Sequence, residues 1–337
     1  MSGILMMVIA IVVLGGAYLL YGRYLQNKWG IDPKAKTPAY EMEDGVDYVP
    51  ADTNVVFGHQ FASIAGAGPI NGPIQAAIFG WLPVLLWILI GGVFFGAVQD
   101  FASMYASVKN KGRTIGYIIE EYIGKLGKKL FLLFCWLFCI LVVAAFADVV
   151  AGTFNGFVAN DAGELTKVAA NGAVATTSML FILEAVALGF FLKYTRFNKW
   201  INTAVAIVLL VVAIVLGLKF PIYVSLGTWH IIIFAYILVA SVAPVWALLQ
   251  PRDYLNSYLL IFMIVGAVIG VFVANPSCNL KAFTSFNVDG QYMFPILFVT
   301  IACGAVSGFH SLVSSGTASK QIKNEKNMLP VSFGAML

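Results

Sequence analysis

What most limits how this 337-residue chain can fold is a succession of apolar runs, each long enough to cross about 30 Å of hydrocarbon. Nine can be marked, roughly over 3–22, 55–79, 81–108, 130–153, 173–192, 200–218, 229–249, 257–274 and 292–314. Backbone amides in lipid find no water, so each run is predicted to be a helix, and the fold class is an all-α, polytopic membrane protein. Composition points the same way: 60% of residues are hydrophobic and only 11% charged, whereas a soluble domain carries about 25% charge. The first run has no Lys or Arg before it, and Arg23 follows it, so it reads as a retained helix and not as a cleaved signal.

The basic residues orient the chain. With the N-terminus outside, 17 of the 20 Lys and Arg residues fall on the cytoplasmic side, and only Lys167, Lys219 and Lys281 fall outside. Topology therefore accounts for the net charge of +4, and no nucleic-acid partner is implied; the bilayer is the partner that the composition demands. The connector 26–54, with Gly30, Pro33, Pro38, Gly45 and Pro50, is too polar for lipid and reads as a structured linker. Segment 114–129 is expected to be an interfacial helix that leads into the span at 130.

The second run is unlike an anchor. Between Val56 and Pro73 it holds Gly58, Gly66, Gly68, Pro69, Gly72 and Pro73, which predicts a break around Ala65–Pro69. Broken helices at membrane depth expose half-helix ends and free carbonyls, the groups with which secondary transporters hold anions and coupling ions. Small residues also serve close packing, as Gly92 and Gly96 in the next run suggest. Pro244, between Ser241 and Trp246, marks a weaker candidate break in the seventh run. The ninth run ends in a stretch rich in hydroxyls, with Ser307, Ser311, Ser314, Ser315 and Thr317 around His310. Those hydroxyls suit either an oxygen shell for sodium or back-bonding to the helix carbonyls.

An ionisable side chain inside a span costs roughly 3 kcal/mol or more unless it is paired or wet, so each is a functional candidate. Glu184 lies near the middle of the fifth run and Asp148 in the outer part of the fourth. His59, Asp100 and His310 lie toward the cytoplasmic ends of theirs, where pairing with an interfacial neighbour is the simpler role for Asp100 and His310; His230 lies at a span boundary. Cys135, Cys139, Cys278 and Cys303 match neither a zinc nor a redox spacing. No His-Glu-x-x-His, Gly-x-Ser-x-Gly or Walker loop occurs, so neither an enzyme nor a cofactor is expected.

Four blocks carry a family resemblance: Asp47–Asn54, Phe57–Pro73, Gly96–Ser103 and Gly308–Thr317. Through them the chain resembles the carbon starvation protein A family of bacterial inner-membrane transporters. The resemblance implies a LeuT-type inverted-repeat fold, within the amino acid–polyamine–organocation superfamily, behind an extra N-terminal helix. On that scheme 1–54 is the extra helix and connector, 55–228 the first five-helix repeat, and 229–337 a partial second repeat. The fold has ten core helices and this chain supplies eight, so a chain truncated after core helix 8 is expected. The implied function is import of short peptides or pyruvate during carbon starvation by symport with protons or with sodium. A channel and a membrane sensor of carbon status are the rival readings. On the same scheme the substrate carboxylate meets Ala65, Gly66, Ala67 and Gly68, faced by Ser241 and Trp246, with Asp148 also assigned to the substrate. Coupling falls to His59, Glu184, His310, Ser311, Ser314, Ser315 and Thr317.

Overall fold

The computed structural model describes residues 2–66, 68–159, 164–194, 199–242 and 249–337. Its helices, in order, are α1 (Gly3–Lys28), α2 (Thr53–Ile64), α3 (Gly68–Ala76), α4 (Trp81–Lys109), α5 (Ile115–Tyr122) and α6 (Lys125–Phe154). They continue as α7 (Ala169–Tyr194), α8 (Lys199–Lys219), α9 (Leu226–Val242), α10 (Leu249–Ala274), α11 (Met293–Ala305) and α12 (Gly308–Gly316). The strands form two short antiparallel hairpins, β1 (Phe157–Ala159) with β2 (Leu165–Lys167) and β3 (Asn287–Val288) with β4 (Gln291–Tyr292).

Among the described residues, five stretches are long and apolar enough to cross a membrane: Gly3–Lys28, Trp81–Lys109, Lys125–Phe154, Ala169–Phe191 and Met293–Lys320. The outward side chains confirm which solvent they meet. On α6, Phe134, Trp136 and Leu141 are each more than 60% exposed, a surface that water would not tolerate over so many turns. Segment 114–129 differs from the single interfacial helix expected: α5 stops at Tyr122, and Gly124, at φ +112°, turns the chain before α6 begins. That φ is open to glycine and closed to most L-residues. Lys128 reaches back to Glu120 at 2.5 Å and holds its carboxyl below the usual range.

The chain divides into two compact units, Phe131–Phe262 and the remainder. In the Phe131–Phe262 unit, Ala147, Ala151, Phe154, Ala175, Trp229 and Ile233 form the main core. There α7 and α8 approach closely because Gly217 lacks a Cβ, which would strike Thr177 Oγ1.

The other unit has two separate cores. One joins α3, the turn after it, the start of α4 and α11 through Ala76, Phe79, Val84, Leu297 and Ile301. The second joins α2, the end of α4 and the chain after α12 through Val56, Phe101, Met104, Ile322, Met328 and Phe333. The connector docks on this second core: Trp29 stacks on Phe101 at 4.8 Å, and its carbonyl accepts from the Tyr105 hydroxyl at 2.8 Å. Glu325, almost fully buried, receives Lys109 Nζ at 2.8 Å and the Asp32 amide at 3.0 Å. Within the connector, the Asp44 carboxylate accepts from the amides of Val46, Asp47 and Tyr48, and these bonds hold its pKa below the usual aspartate range.

Candidate functional site

Between those two cores the backbone is interrupted twice. The first interruption follows Ile64: Ala65 has φ −79° and ψ 60°, outside helical geometry, and helix resumes at Gly68 with Pro69 behind it. Proline suits a helix start, where its missing N–H is no loss. The second lies in the ninth run, which was expected to continue unbroken to 314. Val306 turns out at φ −148° and ψ 30°, and Ser307 caps a new helix, its Oγ accepting from the Phe309 amide at 3.2 Å.

The two interruptions are neighbours. A Cβ on Gly68 would collide with the Cys303 side chain, one on Gly72 with the Thr300 carbonyl oxygen, and one on Gly304 would lie 2.7 Å from Pro69 Cα. Half-helix α3 therefore packs backbone to backbone on α11, while α2 packs on α12. Helix α4 passes the same level unbroken, but as a π-helical turn, Gly92–Ala97, where a Cβ on Gly96 would strike the Ala305 carbonyl. Such wide turns often mark functional positions. A cavity of about 120 Å³ opens here, with Pro69, Pro73, Gly92, Ile301, Gly304 and Ala305 in its apolar wall.

Just on the other side of the breaks lies a buried polar cluster. His310, in the first turn of α12, places Nδ1 2.8 Å from Asp100 Oδ2, and the two side chains are 2% and 0% exposed. Gln60, fully buried in the last turns of α2, donates Nε2 to the His310 carbonyl at 3.1 Å. Ser314 Oγ donates to the Asp100 carbonyl at 3.0 Å, and Gln99 Nε2 to Ser311 Oγ at 3.1 Å. Three atoms of this cluster, Asp100 Oδ1, His310 Nε2 and Gln60 Oε1, are buried with no hydrogen-bond partner among the described residues. Buried polar atoms are nearly always satisfied, so this cluster is a polar spot within an otherwise apolar interior.

The structure thus gathers Ala65, Gly66 and Gly68 at the first break, with His310, Ser311, Ser314 and Ser315 just past the second. Ser311 and Ser315 donate to the carbonyls of Gly308 and Leu312 three residues back on their own helix, the back-bonding arrangement, whereas Ser314 donates across to the Asp100 carbonyl on α4. Thr317 is exposed at the end of α12, and His59 is half-buried on α2. Ala67 and Trp246 lie outside the described residues. Within the Phe131–Phe262 unit, Asp148 bonds His230 Nε2 at 3.1 Å, with the carboxylate 75% exposed, and the exposed Ser241 donates to the Leu238 carbonyl. Glu184, in that same unit, keeps Oε2 buried and unbonded among the described residues. Gln60 and Gln99 were overlooked, although an amide in an otherwise apolar run is itself a signal of a polar interior.

Comparison with known proteins adds an independent line. A family model described as Carbon starvation protein CstA matches residues 2–337. The Peptide transporter CstA of Escherichia coli K12 is 37% identical over 340 residues, 95% of this chain and 46% of that protein. The Peptide transporter CstA of Bacillus subtilis 168 is 36% identical over all of this chain and 56% of its own length. The Pyruvate/proton symporter BtsT of Escherichia coli K12 is 38% identical over 95% of this chain and 45% of its own length. The chain thus spans about half the length of the curated relatives it matches. No solved structure matches it.

Proposed function

The chain belongs to the carbon starvation protein CstA family, and from that premise we propose that it is the transport-bearing part of a secondary active importer of short peptides or pyruvate, coupled to protons. The reading rests on one observation, the two helix breaks lying side by side between two cores, with a buried carboxylate–imidazole pair beside them. Freed amides at the start of α3 offer a positive half-helix end to a carboxylate, the group that peptides and pyruvate share. A small apolar cavity beside Pro69 and Gly304 adjoins those amides. Protons are preferred to sodium because one relative is named a proton symporter.

The finer architecture follows the same reading. We take 1–54 as an extra helix and connector, 55–228 as one repeat and 229–337 as part of an inverted second repeat of the LeuT type, placed in the bacterial inner membrane with the N-terminus outside. Counterflow in proteoliposomes tests the function. Vesicles preloaded with unlabelled pyruvate or dipeptide are expected to draw in the labelled compound transiently above its external concentration. Binding without counterflow of either compound would convert the reading to that of a sensor.

A further inference from the structure

We propose that Asp100, His310 and Gln60 form a single proton-binding unit whose charge decides whether the half-helix α12 stays seated against α4. This rests on the transport reading above and names the groups that would carry its proton. Asp100 stands on α4, one turn beyond the π-helical stretch; His310 on α12, just past one break; Gln60 on α2, just before the other. One proton site is therefore shared by both interrupted helices and the continuous one.

The chemistry follows from the count of partners. With the carboxylate ionised and the imidazole neutral, Nδ1–H donates to Asp100 Oδ2, and the Gln60 amide is the other polar side chain turned toward that carboxylate. That state holds a net negative charge almost wholly out of water, which is unfavourable unless a donor arrives. Adding one proton at Nε2 gives an imidazolium beside a carboxylate, a pair of zero net charge held across α4 and α12. The loaded site is then stable in a dry, closed arrangement, whereas the unloaded site favours admission of water by movement of α12 at its Val306–Ser307 break.

Among the described residues no other ionisable side chain is ion-paired with either of the two. Among titratable groups on the elements packed against the pair, Lys109 is bound to Glu325, Glu120 to Lys128, Glu121 to Arg113 and Lys320 to Asp47. Tyr105 donates to the Trp29 carbonyl, Tyr122 to Asn110, and Tyr117 lies under Lys128. His59 on α2 and Cys303 on α11 are further titratable groups on packed elements, and none of these groups is hydrogen-bonded or ion-paired to Asp100 or His310.

The test separates coupling from movement of substrate. In proteoliposomes carrying the protein, Asp100→Asn and His310→Gln are each expected to keep counterflow while losing accumulation driven by an inward proton gradient, so that the internal-to-external ratio falls to unity. Asp100→Glu is expected to restore gradient-driven accumulation. Accumulation that persists in either folded variant would overturn the proposal. If neither variant yields folded protein, proton uptake by the wild type in lightly buffered medium decides: counterflow with no proton entering with net substrate would overturn it, and transport would still stand. Failure of counterflow in the wild type would instead overturn the transport reading.

Discussion

Replacing Gly72 with leucine is expected to abolish uptake and to destabilise the protein by about 3 kcal/mol or more. Gly72 is buried where α3 crosses α11, and a Cβ there meets the Thr300 carbonyl oxygen and comes within 3.3 Å of Ile301 Cα. These are backbone atoms, which cannot rotate aside as a side chain would. Relief requires the two helices to separate, and with them the backbones of Pro69 and Gly304 that set the breaks side by side. Gly58→Ala serves as the comparison, because nothing lies within 4 Å of its missing Cβ and helix propensity slightly favours alanine. Thermal unfolding of the purified protein in detergent, read beside counterflow, checks both effects. Wild-type stability in the Gly72→Leu protein would show that the close crossing of α3 and α11 is not a feature of the folded molecule.

The second large effect is expected at Phe101. It is fully buried, stacks on Trp29 with planes 18° apart and meets Phe333 edge-on at 6.2 Å. Phe101→Ala is expected to cost about 3–5 kcal/mol, and Phe101→Leu about 1–2 kcal/mol because most of the volume is kept. The consequence reaches the site, since Phe101 follows Asp100 directly and its packing fixes the turn that presents the carboxylate to His310. Unfolding midpoints for the two variants should fall in that order. Equal midpoints would mean that the connector and the chain after α12 do not depend on this aromatic contact.

How much of this was legible in the sequence depends on whether the cause was local. The break at Ala65–Gly68 announces itself through Gly66, Gly68 and Pro69, residues that weaken a helix wherever they stand. The break at Val306–Ser307 does not, because Cys303–Gly308 contains no proline and is apolar enough to pass as continuous span. Its local marks are weaker, two glycines and the capping Ser307, and the packing of Gly304 against Pro69, 235 residues away in the chain, could not be read from them. Asp100 and His310 were visible one at a time as ionisable groups in apolar runs. Their union was not, since 210 residues separate them and no periodicity within either run encodes the partner. Asp148 and His230, 82 residues apart, were likewise visible singly and paired only in three dimensions. Gln60 carries no charge, so its place beside the pair could be read only from coordinates.

The claim that substrate passes at the paired breaks is tested most directly through Cys303, an exposed thiol on α11 whose side chain occupies the space against Gly68. In a protein whose other cysteines, Cys135, Cys139 and Cys278, are replaced by serine, a small membrane-permeant thiol reagent is expected to label Cys303 and stop counterflow. Saturating pyruvate or dipeptide is expected to slow that labelling, and a further Cys303→Ser replacement to make counterflow indifferent to the reagent. Complete labelling of Cys303 with undiminished counterflow would contradict the account and place the substrate path elsewhere.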